Sequence, residues 1–156
     1  MAKPVGAGDK APDFSLPDQE GRMVTLKHVT GSPVVLYFYP KDDTPGCTKE
    51  SCEFRDAETA IRKAGAFVLG VSLDDEASHQ KFIAKYSLPF SLLCDEEAKV
   101  STAYGVYKEK NMYGRKYWGI ERSTFVIDET GVIRAAFRKV KVDGHAKDVL
   151  AVLRAL

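Results

Sequence analysis

"VVLYFYPKDDTPGCTKESCEFRD", residues 34–56, holds the end of a strand, a turn and the start of a helix in one run. The apolar segment "PVVLYFY" shows no polar alternation, which marks a strand covered on both faces near the middle of a sheet. Pro40 ends it, and Asp42 and Asp43 read as turn residues. Thr44 is an N-cap candidate, and Pro45 suits a first helical turn, where its missing N–H costs little. The helix is expected over Thr44–Ala64, with Cys47 in its first turn. There, free backbone N–H groups and the helix dipole favour an anion, so the position stabilises a nucleophilic thiolate. The bland alternative for Cys47 is a small buried hydrophobe.

A helical wheel at about 100° per residue sorts the neighbours. Phe54, Ala57, Ile61 and Ala64 form the inward stripe, with Cys47 at its edge. Glu50 lies on the same side. An inward carboxylate asks for a cation, best an arginine; the competing reading is a partly exposed Glu that complements the dipole. Cys52 falls with Lys49, Asp56, Thr59 and Lys63 on the solvated face, where packing does not explain it. In an intact helix the two cysteine Cα atoms stand about 8–9 Å apart. A disulfide needs less than about 7 Å, so these two thiols bond only if the first turns unwind.

Outward from this stretch, "DFSLPDQEGRMVTL" reads as two short strands around a turn at Asp18–Gly21. "AFVLGVS" is a second buried strand. Asp74 or Asp75 caps a helix through Tyr86, with His79, Phe82, Ile83 and Tyr86 inward. "FSLLCD" is a strand, "EEAKVSTAYG" a short helix and "VYKEKNMYGRKYWGIER" a long aromatic-rich loop. "STFVID" and "VIRAAFRKV" form an antiparallel hairpin. "HAKDVLAVLRAL" closes the chain as a helix with Val149, Leu150, Val152, Leu153 and Leu156 inward. The order implies an α/β fold with a mixed central sheet, helices on both faces and an N-terminal hairpin. Sites in such sheets form at the carboxyl ends of central strands, where residues 40–47 lie.

The chain has 156 residues, so one domain spanning 1–156 is expected. A net charge of +1 gives no bulk argument for nucleic acid or an anionic membrane. No apolar run reaches the length of a membrane span, and "MAKPVGAGDKAPDF" lacks a signal-peptide core, so a cytoplasmic location is expected. Three cysteines in a reducing compartment point to redox or metal chemistry rather than a structural disulfide. Spacings such as C-x-x-C are missing, which counts against a metal module and a thioredoxin-type oxidoreductase. No metal or cofactor is expected. Cys94 reads as a partly buried strand residue, His79 as structural, and His28 and His145 as solvated. Met112, Tyr113, Tyr117 and Trp118 read as loop aromatics covering the sheet, with an apolar entrance to the site as the alternative.

"PKDDTPGCTKE" resembles the peroxiredoxin pattern of Pro40, Thr44 and Cys47, and the second cysteine in "CTKESC" resembles the Q-type group, the bacterioferritin comigratory proteins. "NMYGRKYWGIERSTFVID" is similar to that group's segment carrying an active-site arginine, here Arg122. The likeness runs from "GDKAPDFSLPDQEG" to the last helix. It implies a thioredoxin-like fold and a thiol peroxidase acting on hydrogen peroxide and organic hydroperoxides. Cys47 would attack the peroxide and become a sulfenic acid. Arg122 would stabilise thiolate and developing oxyanion, Thr44 and the backbone N–H groups near Gly46 would bind the peroxide oxygens, and Pro40 would shield the sulfur. Glu50 matches the position that holds the arginine. Cys52 would be the resolving thiol, with the disulfide reduced by thioredoxin. Cys94 has no counterpart in the motif, which leaves the resolver open. An intramolecular resolver implies a monomer.

Overall fold

A computed structural model describes residues 4–156. At its centre lies β3 (Val34–Phe38), every residue of it buried, as its unbroken apolar run requires. β3 pairs in parallel with β4 (Phe67–Ser72), which pairs in parallel with β5 (Ser91–Cys94). On its other side it pairs antiparallel with β8 (Ser123–Ile127), which pairs antiparallel with β9 (Ile133–Arg138). The central sheet thus runs β5-β4-β3-β8-β9. An N-terminal hairpin of β1 (Ser15–Pro17) and β2 (Met23–Thr25) turns through Asp18, whose Oδ1 accepts from the N–H groups of Glu20 and Arg22.

Alternate residues of β3, with Tyr39 just after it, feed two cores. Val35, Tyr37 and Tyr39 pack with Phe54 of α2 (Pro45–Lys63), Phe82 of α3 (Glu76–Tyr86) and Val149 of α5 (His145–Arg154). Leu36 and Phe38 pack with Val100 of α4 (Lys99–Ala103) and with Ala11 and Phe14 of the N-terminal segment. The layers are held close: a Cβ on Gly70 of β4 would stand 2.6 Å from Leu92 Cδ2 and 2.9 Å from Tyr37 Cζ, so only glycine fits there.

Several sequence expectations change. Residues 106–122 are not a loop: β6 (Tyr107–Met112) and β7 (Arg115–Ile120) form a two-stranded hairpin that, among the described residues, pairs with no other strand. Its two-residue turn, Tyr113–Gly114, has positive φ at both positions, the twist-compatible geometry for a tight hairpin. Met112, Tyr113, Tyr117 and Trp118 are therefore exposed rather than laid over the sheet. A single-turn helix α1 (Leu26–Val29), capped by the Thr25 hydroxyl, follows β2. Leu156 is exposed, because α5 ends at Arg154 before the apolar stripe reaches it. His145 is buried, with Nε2 2.7 Å from Thr124 Oγ1 and its ring edge-on to Phe54 and Phe137. It belongs to the inner stripe with Val149 and Leu153, and burial pushes its imidazole down to about 4.

Candidate active site

β3 ends at Phe38, and Phe38 lies in register with Ser123, the first residue of β8. This antiparallel pairing sets the residue before β8, Arg122, beside the chain that leaves β3 for α2. Arg122 and Cys47, 75 positions apart, meet there: Nη2 stands 3.4 Å from Cys47 Sγ. Arg122 Nη1 donates to Glu50 Oε1 at 2.7 Å. The same guanidinium thus touches both the thiol and a carboxylate one helical turn on. Gly46 leaves room for it, since a Cβ there would come within 3.0 Å of Arg122 Nη2.

Helix α2 begins as the sequence predicts, with Thr44 at the N-cap and Pro45 in the first turn, but the Thr44 side chain makes no cap bond. Its hydroxyl donates instead to the Lys41 carbonyl at 2.8 Å. The helix's first backbone bond runs from Thr48 N–H to Thr44 O. Gly46 and Cys47 come too early for an intrahelical acceptor, and among the described residues their N–H groups have no backbone partner, which leaves them for an anion beside the sulfur. Cys47 itself is 1% exposed. Pro40 is half-buried just ahead of this turn.

Glu50 is inward and paired, which decides between the two readings of its place on the wheel. Burial pushes its carboxyl up to about 7 although the Arg122 charge pulls the other way. Its second oxygen, Oε2, is buried with no hydrogen-bond partner among the described residues. Arg122 is raised still further in basicity: burial works against its charge, but Glu50 and Cys47 outweigh it.

α2 is unbroken through Cys47 and Cys52, and all three cysteines are free thiols. Cys52 is half-buried rather than fully solvated. Arg55, three residues on along the same side, reaches the Tyr86 carbonyl at 2.8 Å and ties that side of α2 to the end of α3. Cys94 lies at the end of edge strand β5, 3% exposed, with Sγ 3.9 Å from the Asp18 carbonyl. Burial, reinforced by nearby acidic groups, pushes its thiol up to about 12.

Two contributors escaped the sequence reading. Lys110 of β6 donates to the Ile120 carbonyl, and burial together with the Arg122 charge lowers its basicity while Cys47 raises it. It brings a second cation into the field of the sulfur; its place on the hairpin had no periodic signal. Asp42 is not merely a turn residue: it is buried and bonded to Tyr39, Ser78 and His79. Its position between an all-apolar strand and a helix cap was the only hint.

No helix among the described residues is long and apolar enough to cross a membrane. The AhpC/TSA family matches residues 7–136. A Coxiella burnetii relative bearing the peroxiredoxin bcp name is 56% identical over 146 residues, covering 94% of this chain and 97% of its own. Peroxiredoxin Bcp of Bacillus subtilis is 47% identical over 150 residues, covering 96% of each. The Xanthomonas campestris bacterioferritin comigratory protein, whose solved structure concerns alkyl peroxide reduction, superposes with a TM-score of 0.87 at 46% identity over 91% of this chain and 90% of its own. With a thioredoxin-like sheet and a thiol, a guanidinium and a carboxylate at its β3–α2 junction, the chain belongs to the AhpC/TSA family as a peroxiredoxin of the Bcp/Q type, a thiol peroxidase.

Proposed function

We propose that Cys47 is the peroxidatic cysteine and that Cys52 resolves it. The observation that carries this is the Arg122 guanidinium, 3.4 Å from Cys47 Sγ and braced by Glu50. The Cys47 thiolate attacks the terminal oxygen of a hydroperoxide. A sulfur–oxygen bond forms, the O–O bond breaks, and the departing alkoxide or hydroxide takes up a proton to leave as alcohol or water. Arg122 and the free N–H groups of Gly46 and Cys47 face the negative charge as it moves from sulfur to the leaving oxygen. Thr44 positions the peroxide, and Pro40 keeps water from the sulfur.

The resulting sulfenic acid is beyond reach of Cys52 while α2 is intact. Unwinding of the first turns brings the thiols together. Cys52 attacks the sulfenic sulfur, an S–S bond forms, the S–O bond breaks, and the hydroxide leaves as water. A dithiol protein of the thioredoxin type then reduces the disulfide by exchange. Hydrogen peroxide and organic hydroperoxides are the substrates, the latter supported by the alkyl peroxide reduction of the Xanthomonas campestris relative. The protein acts as a cytoplasmic monomer of one domain, since an internal resolver needs no second subunit.

Stopped-flow oxidation by hydrogen peroxide tests the assignment. Cys47→Ser should not react. Cys52→Ser should keep the first oxidation, accumulate sulfenic acid and lose turnover with thioredoxin. Rapid oxidation of Cys47→Ser would sink the nucleophile, and an internal disulfide in Cys52→Ser would make Cys94 the resolver.

A further inference from the structure

The loop that delivers Cys47 is fastened from outside its own helix. Asp42 Oδ1 accepts from the Tyr39 hydroxyl at 2.6 Å. Asp42 Oδ2 accepts from Ser78 Oγ at 2.8 Å and lies 2.7 Å from His79 Nδ1. The Asp42 N–H donates to Asp74 Oδ2 at 2.8 Å, and the same oxygen accepts from Ser72 Oγ. Asp43, the next residue, takes Lys85 Nζ and the Tyr86 hydroxyl. Four side chains of α3 therefore grip two consecutive residues of the β3–α2 loop.

His79 is the buried centre of this grip, at 0% exposure. Its second nitrogen, Nε2, stands 2.9 Å from the Leu93 carbonyl. A carbonyl only accepts, so Nε2 carries a proton. A carboxylate only accepts, so Nδ1 carries one too. With Asp42 ionised, both contacts are complete only in the imidazolium, and neutral histidine would set a bare lone pair against an oxygen in a site closed to water. The carboxylate and imidazole atoms of Asp42, Asp74 and His79 lie within 4.8 Å of one another, as in a metal site. Yet the imidazole has no lone pair free for a metal while both contacts hold.

We propose that Asp42 and His79 are a positioning pair, a buried carboxylate–imidazolium clamp that fastens the Pro40–Thr44 loop to α3 and so holds the start of α2 in its peroxide-reactive arrangement. The inference rests on the assignment of Cys47 above. His79 touches no reacting atom; it acts through the loop. The groups facing it are Asp42 from the loop, Asp74 from the turn after β4, Tyr39 after β3 and the Leu93 carbonyl of β5. Burial alone disfavours its charge, but Asp42, the Leu93 carbonyl and Asp74 outweigh this and raise its pKa above the ordinary 6.5. The clamp is therefore closed at low pH and opens as pH rises through that raised value.

The ratio of the wild-type rate to that of His79→Gln, for the first oxidation by hydrogen peroxide, isolates the clamp because ionisation of Cys47 enters both rates. The ratio should be about tenfold near pH 6 and shrink as pH rises. A merely structural histidine would give a ratio that does not move with pH, and that result would overturn the proposal. Asp42→Asn supplies the rescue. Its amide can donate both to Nδ1 of neutral His79 and to Ser78 Oγ, and its oxygen can still accept from Tyr39, so the contacts are remade without the extra proton, the Ser78 bond reversed in direction. It should react within about threefold of wild type near pH 6, where His79→Gln is about tenfold slower, and should gain on wild type as pH rises and the wild-type clamp opens. A variant as slow as His79→Gln at every pH counts against the clamp. Nitrogen-15 NMR of reduced wild type reads the clamp without any reaction: two protonated ring nitrogens on His79 near pH 6 support it, and a single neutral tautomer overturns it. Oxidation of Cys47→Ser under the same conditions would instead refute the nucleophile, leaving the NMR result on His79 to stand by itself.

Discussion

Cys47 and Cys94 are almost equally buried, 1% and 3% exposed, and each sits where an apolar stretch meets a turn. Their neighbours differ in sign. Cys47 has a helix N-terminus beneath it and a guanidinium at 3.4 Å. Cys94 has a carbonyl at 3.9 Å and the charges of Glu76, Glu96, Asp75 and Asp42 around it, and its thiol is pushed up to about 12. Burial makes any thiolate costly; what separates the two is whether the protein supplies positive charge in place of the lost water. The same burial that disfavours a thiolate at Cys94 strengthens the contact between Arg122 and the Cys47 sulfur, because charges interact more strongly where water is excluded.

Removing that arginine should produce the largest change. Arg122→Met is expected to slow the first oxidation by hydrogen peroxide by about 10²–10³-fold in stopped flow. A rate near wild type would erase the contrast between the two thiols.

Glu50→Gln sharpens it through stability. The folded carboxyl titrates at about 7 against an ordinary 4.5. Between those values the folded protein binds more protons than the unfolded chain, so stability falls as pH rises through this window. Urea denaturation of the reduced protein at about pH 4.5 and about pH 8 should show wild type losing about 3 kcal/mol more than Glu50→Gln over that span. Equal losses would mean that Arg122 fully compensates the buried carboxylate.

The smallest effect is expected at the silent thiol. Cys94→Ala should leave the peroxide rate within about twofold and cost about 1 kcal/mol of stability, as a small core truncation does. A large loss of turnover would give Cys94 a redox part and break the comparison from its other side.

The elements with one-sided or fully buried patterns were readable in advance. β3, β4, α2 and the β8–β9 hairpin stand where the apolar periodicities put them. The β6–β7 hairpin was missed because it lies apart from the central sheet and most of its residues meet water, so no alternation marks it. Its turn also uses Tyr113 at positive φ, a residue that is no turn signal. His145 was misplaced despite a signal, its spacing to Val149 and Leu153 on α5. The Asp42–His79 contact joins residues 37 positions apart on different elements, and neither carries a motif that names the other.

The chain's own order determined that a thiol would stand in the first turn of a helix after a central strand, and that a second would lie five residues on. Those features are local: a proline that suits the first helical turn and the dipole of the turns that follow it act over a few residues. Tertiary structure alone decided which charge meets the sulfur and what holds the loop beneath it. Arg122 reaches Cys47 because β8 runs antiparallel to β3 with Phe38 opposite Ser123, and His79 reaches Asp42 because α3 packs beside α2 on the same face of the sheet. Register and packing depend on contacts between distant residues, which no local pattern encodes.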